Sequence, residues 1–189
     1  LPPTLEVVRN IALTDNIAFP WFATAGVDRG TTTAVRARIK LRQADRDTLY
    51  EQRINPIATF TQQGVVIYGQ KTLQQRQSAL DRINVRRLSI YLKDRIAKIS
   101  RGILFDPNLQ VTWDRFVAQV DPLLADTKAR FGLSDYKVVL DGTTTTPDLI
   151  DRNIMYAKVY IKPARAIEFI AIDFIITNTG ASFDEWYIY

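Results

Sequence analysis

The reactive side chains in these 189 residues are carboxylates, amines, guanidiniums, hydroxyls and phenols, because the chain holds no histidine and no cysteine. Without imidazole or thiolate, neither a Ser-His-Asp relay nor a Cys-His pair can be assembled from it. The usual zinc ligand sets and any disulfide framework are excluded on the same ground. Carboxylate and lysine chemistry remains open. Asp141, Asp148 and Asp151 share one polar stretch but lack the glycine-centred spacing of a calcium loop. Glu168 and Asp173 are five residues apart in an apolar run. On a strand that odd spacing sends them to opposite faces, so they cannot work as an acid and base pair. The glycine-bounded run from Gly64 to Gly69 has neither the Lys-Ser/Thr of a P-loop nor a dinucleotide spacing.

A basic stripe is the strongest polar pattern. Arg87, Asp94, Lys98 and Arg101 fall on one side of a helix at near-heptad steps, with Arg95 beside them. Such a stripe suits either a solvated helix face or contact with an anionic partner. Nucleic acid is one such partner, since cations release counterions from phosphates. No RNA- or DNA-binding motif accompanies the stripe, and the aromatic residues are not interleaved with it.

The elements that position these groups follow from periodicity. Apolar residues Val85, Leu88, Leu92, Ile96, Ile99 and Ile103 recur at steps of three and four, which predicts an amphipathic helix over 84–104. Asp106-Pro107-Asn108 ends it. A second helix is predicted over 112–131, capped by Thr112, with Phe116, Val120, Leu123, Leu124 and Thr127 inward. Pro122 should kink it, and Gly132 is the expected C-cap. A shorter helix is expected over 4–16, with Leu5, Val8, Ala12 and Leu13 on its inner side and Thr4 as cap. One or two helical turns are expected near 46–52, before Asn55-Pro56.

Strands are predicted over 31–41, 64–69, 136–140, 154–161 and 167–177. The first alternates Val35, Ala37, Ile39 and Leu41 with Arg36, Arg38 and Lys40, an edge pattern. In the fourth, Met155, Ala157, Val159 and Ile161 oppose Tyr156, Lys158 and Tyr160. The fifth is apolar on both faces, and the short link at 162–165 suits a hairpin before it. The fold class is therefore α+β, with two main helices packed on a mainly antiparallel sheet and extended terminal arms. Three regions are expected: an N-terminal helix and edge strand at 1–41, an α+β domain at 42–177, and a C-terminal arm at 178–189.

Charge is unevenly spread. The chain carries a formal +5, yet residues 166–189 carry −4, so the remainder carries +9. Self-association of basic body with acidic tail is one outcome; chance variation is the other. The tail also holds Phe183, Trp186, Tyr187, Ile188 and Tyr189, an apolar load unusual for a terminus. These residues can dock on their own domain or add as a strand to a neighbouring chain. The beginning, Leu1-Pro2-Pro3-Thr4, lacks an initiator Met, a basic region and an apolar core, so it is not a signal peptide and reads as a trimmed start. No segment approaches the roughly 20 apolar residues of a membrane span.

Five phrases, in order, resemble the C-terminal region of contractile tail sheath proteins from phages, bacteriocins and related injection machines. They are the runs 19–30 (FPWFATAGVDRG), 49–57 (LYEQRINPI), 64–73 (GVVIYGQKTL), 83–88 (INVRRL) and 105–113 (FDPNLQVTW). The resemblance implies a structural subunit that polymerises around an inner tube and contracts to drive it through a target envelope. It implies no enzymatic activity and no cofactor. Its implied partners are other copies in stacked rings, the inner tail tube protein, and the baseplate and tail terminator proteins. Neither a membrane nor a nucleic acid is among them. The implied location is the virion tail, assembled in the host cytoplasm. Family members are longer, with an N-terminal arm and outer domains ahead of this region. Their mesh links N- and C-terminal arms of neighbours to the domain's sheet. On this reading Phe183, Trp186, Tyr187, Ile188 and Tyr189 form the donated arm, and the 31–41 strand belongs to the shared sheet. Arg87, Arg95, Lys98 and Arg101 contact the tube or a neighbouring subunit. Two alternatives stand beside it: a nucleic-acid-binding domain using the basic helix, and an enzyme using carboxylates.

Overall fold

The structure, a computed structural model, describes residues 2–170. Nine elements follow one another: α1 (Pro3–Ile17), α2 (Gln43–Glu51), β1 (Ile57–Phe60), β2 (Gly64–Ile67), α3 (Ile83–Arg101), α4 (Gln110–Ala129), β3 (Leu133–Val139), α5 (Pro147–Asp151) and β4 (Lys158–Pro163). They form a mixed α+β architecture in which the described strands pair as two antiparallel ribbons, β1 with β2 and β3 with β4.

The two long helices form where the apolar period requires them. Helix α3 buries Val85, Leu88 and Leu92, and Ile96 and Ile99 pack on the edge of the same core. Helix α4 turns in Trp113, Phe116, Val120, Leu124 and Thr127. Its start is Leu109 as N-cap without a side-chain cap, so Thr112 lies inside the helix and not at its cap. The helix continues through Pro122, an exposed position where the lost N–H is a solvent-side one. At its end the left-handed residue is Phe131 (φ 62°), not Gly132. Gly132 is required for a different reason: a Cβ there would stand 2.7 Å from the Thr127 methyl and 3.0 Å from the Trp21 ring.

Trp21 locks the N-terminal segment to this core. It stacks on Phe19 at 4.9 Å, meets Tyr91 edge-on at 5.4 Å, and donates its indole N–H to the Arg130 carbonyl at 2.9 Å. Burying the ring with its N–H paired satisfies both halves of an amphipathic side chain.

Helix α1 forms as expected, but its packing is inverted. Glu6, Asn10 and Thr14 are buried, while Leu5, Val8 and Leu13 are exposed. The cause is specific pairing: the Glu6 carboxylate accepts from the Thr33 N–H at 3.0 Å and from the Thr33 hydroxyl, and Thr14 donates to the Asn10 carbonyl at 2.8 Å. These bonds hold Glu6 below the usual carboxylate range, the Thr33 hydroxyl contributing most. Pro2 precedes the helix as N-cap, so Thr4 is not the cap.

The same contact explains why residues 31–41 do not form a strand. Gly30, Thr31 and Thr32 line the outer edge of β2, with Thr31 bridging Val66 and the Thr32 N–H bonded to Val65. Thr33 then turns away to Glu6, and the alternating run beyond it is left without a ladder. Val35 is 97% exposed and Ile39 69%. Strand β1 was missed in sequence because Asn55-Pro56 reads as a breaker; the chain pairs immediately after it, Ile57 opposite Ile67. Helix α5 falls in what reads as a polar loop.

Candidate assembly surface

Ribbon β3–β4 is largely exposed on one face, its burial alternating along β4 and over 135–138 of β3. Its register places Tyr136 opposite Ile161, Val138 opposite Val159, and Val139 opposite Lys158. Tyr136, Val138, Val159 and Ile161 turn toward α4 and the core. Asp135, Lys137, Lys158, Tyr160 and Lys162 face solvent. This alternation in β4 is the one the sequence predicts, although the strand begins four residues later and takes in Lys162 and Pro163. Those two residues therefore belong to the strand and not to a hairpin link. Among the described residues neither long edge of the ribbon carries a further strand. A ladder edge with unpaired N–H and C=O groups is a template for another chain.

Charge on the ribbon is partly fixed. Lys128 donates to Asp135 at 3.1 Å, with Lys162 at 4.0 Å on the other oxygen, and the Lys128 bond chiefly holds Asp135 below its ordinary value. Burial, then the nearby Asp121 carboxylate, push the Tyr136 phenol up.

The basic stripe of α3 is divided by its contacts. Arg87 is turned inward onto Asp15 of α1 and is largely covered. Arg95, Lys98 and Arg101 stay on the exposed side. Lys98 pairs with Asp94 at 2.7 Å and thereby lowers its carboxyl, and the Arg95 guanidinium lies 5.3 Å from the Tyr91 ring centre. The three remain a cationic strip along the later half of the helix, while Arg87 is a tie between α1 and α3.

Where the chain leaves β4, a polar cluster that sequence patterning did not group comes together. Glu168 meets Arg82 in a two-point ion pair, with Oε1 2.5 Å from Nε and Oε2 2.9 Å from Nη2. The Gln70 amide donates to Glu168 at 3.4 Å, and the Tyr50 phenol faces the same carboxylate. Burial pushes the Glu168 carboxyl up, but the Arg82, Tyr50 and Gln70 hydrogen bonds outweigh it and hold the group below its usual value. Burial and the adjacent carboxylate raise the Tyr50 phenol. The residues lie 50, 70, 82 and 168 positions along the chain, so no local spacing could have joined them. The signal in sequence was an acid set within an apolar run.

Two of the three aspartates of the polar stretch have local partners, and Asp151 lies exposed at the end of α5. Asp141 accepts from the backbone N–H groups of Thr143 and Thr144 in a local turn, and Asp148 stands 3.7 Å from Arg152. Among the described residues no group of three His, Cys, Asp or Glu side chains converges, and no helix is long and apolar enough to cross a membrane. Phe183, Trp186, Tyr187, Ile188 and Tyr189 lie outside the described residues, as does most of the strand expected at 167–177. Residues 167–170 are not in a strand.

Comparison with known proteins bears on this surface. A family profile described as phage tail sheath C-terminal domain matches residues 75–177. The tail sheath protein of Vibrio phage KVP40 is 42% identical over 98% of this chain, and that of Enterobacteria phage T4 is 41% identical over the same share. The chain spans 28% of the length of each of these relatives. Among solved structures, the sheath complex of an extracellular contractile injection system (PVC) in its contracted state superposes with a TM-score of 0.85 at 26% identity. That match covers 93% of this chain and 51% of the other. A profile match over more than half of the residues, with relatives above 40% identity along nearly all of them, fixes the lineage: the chain belongs to the phage tail sheath C-terminal domain family.

Proposed function

We propose that this chain is the C-terminal part of a contractile tail sheath subunit, which polymerises around an inner tube and contracts to drive that tube through a target envelope. The observation that carries the reading is the β3–β4 ribbon, whose two edges lack partner strands among the described residues while its inner face packs, half-buried, on α4 and the core. Such a ribbon is completed by strands from other chains, where backbone bonds supply affinity and alternate side chains supply register. The acidic, aromatic arm containing Phe183, Trp186, Tyr187, Ile188 and Tyr189 is the strand donor, and the ribbon with its outward lysines is the receiver. The strip of Arg95, Lys98 and Arg101 faces the tube or a neighbouring subunit, while Arg87 is bound to Asp15 of α1. Contraction on this reading draws on a difference in contacts between two packings of the same subunits, with no nucleotide and no catalytic step. The further partners are the baseplate and tail terminator proteins, and the working location is the virion tail.

The test is deletion of residues 183–189 in the full-length polypeptide. Electron microscopy should show loss of tubes, while circular dichroism and melting of the domain stay as in the parent. Intact tubes after the deletion would overturn the arm reading.

A further inference from the structure

The stretch that follows β4 is held to the body in an unusual way. Ile167, Phe169 and Ile170 are 81%, 81% and 77% exposed, so the apolar side chains around Glu168 contribute almost no packing. The Glu168 carboxylate alone enters the domain, five residues past the end of β4 at Pro163. Its receptor is prepared from three places in the chain. Arg82 immediately precedes α3, and its other terminal nitrogen is held by Asp81 at 2.9 Å, a residue only 4% exposed. Gln70 is 5% exposed, and its segment is bonded to that of Arg82, the Ile83 N–H donating to the Gln70 carbonyl at 2.9 Å. Lys71 and Arg82 form a bridge in the same pairing. Tyr50, on α2, is fixed from behind by Lys71, whose ammonium lies 3.6 Å from the ring centre and donates to the Tyr50 carbonyl at 2.7 Å.

A fork of two N–H groups on a carboxylate fixes position as well as charge. The receptor presents Arg82, Lys71 and Arg53 on one side of the balance and Asp81 and Glu51 on the other. Glu168 completes that balance, and an uncharged residue in its place leaves a half-covered guanidinium short of its counter-ion. With Ile167, Phe169 and Ile170 exposed, the Glu168 carboxylate is the group that attaches residues 167–170 to the body.

We propose that Glu168 is the positioning residue for the chain that follows β4, a fixed point, or pivot, that ties it to α2 and to the start of α3. The assignment rests on the sheath reading above and adds the point at which a neighbour's pull enters the subunit. Tension on the arm is delivered through Arg82 to α3 and through Tyr50 to α2, bypassing the six-residue strand β4.

The test uses the full-length polypeptide with Glu168→Gln, which keeps shape and removes charge, beside Asp148→Asn, which breaks an exposed helix pair. Assembly into tubes is followed by sedimentation across protein concentration, and folding by circular dichroism. Glu168→Gln should raise the critical concentration about tenfold, the scale of one lost charge-assisted hydrogen bond, while Asp148→Asn leaves it unchanged. A Gln70→Cys, Glu168→Cys double variant joined by a short bifunctional maleimide should recover assembly relative to the same protein left unjoined. Wild-type assembly by folded Glu168→Gln overturns the pivot, and so does a joined double variant no better than the unjoined one. A parent protein that forms no tubes at all overturns the sheath reading and the pivot with it.

Discussion

At the scale of single residues, Gly132 shows how closely the core is fitted. One added methyl there overlaps the Thr127 methyl at 2.7 Å and crowds the Trp21 ring at 3.0 Å. Gly132→Ala should therefore destabilise the domain by about 1–3 kcal/mol, the usual cost of forcing volume into a packed site, read as a lower denaturant midpoint with an unchanged slope. Sequence patterning finds this glycine but gives it the role of helix cap, whereas the cap is Arg130 and the left-handed residue after it is Phe131. The apolar core was legible residue by residue, since Leu88, Leu92, Phe116, Val120 and Leu124 all occupy predicted inward positions. Thr127, a polar residue on the same helical stripe, was legible too, but polar residues drawn in by distant partners were not. Glu6 and Glu168 each enter the body for a partner far along the chain, Thr33 in one case and Arg82 in the other. No periodicity encodes a partner of that kind.

At the scale of elements, periodicity worked where an element packs on one face and failed where pairing decides. Helices α3 and α4 present one apolar stripe to one core, so their spans come within a few residues of expectation. Helix α1 has a good apolar stripe as well, yet a polar stripe with three specific bonds prevails. Residues 31–41 have the composition of a strand, but a strand exists only where an edge is available, and Thr33 is taken by Glu6 before the ladder can extend. Pro122 gives a further measurable case. It sits exposed in the middle of α4 and deprives the helix of one i to i−4 bond. Pro122→Ala should stabilise the domain by up to about 3 kcal/mol, the propensity gap between the two residues in a helix interior, seen as a higher melting temperature. An unchanged or lowered melting temperature would mean that the helix is bent there to fit the core.

At the scale of the whole molecule, titration has a simple shape. With no histidine in the chain, no side chain changes charge by its ordinary chemistry between about pH 5 and 8, so stability should be nearly flat there. Glu6, Asp94, Asp135, Asp141 and Glu168 are all held below their usual values by hydrogen bonds in the fold. A depressed carboxyl stabilises the folded state above its unfolded value and stops doing so as pH falls through the folded one. Denaturant midpoints should therefore drop on the acid side, below the ordinary carboxylate range, and Glu168→Gln should make that drop shallower. A decline already under way at pH 6 would contradict this account. The outward side of the β3–β4 ribbon has a separate consequence. Lys137, Lys158 and Lys162 stand along a ladder whose long edges carry no further strand among the described residues. Two such ribbons approaching edge to edge would bring lysines against lysines, with Asp135 the one acid among them, so the same side chains that solvate the ribbon also discourage indiscriminate pairing of its edges.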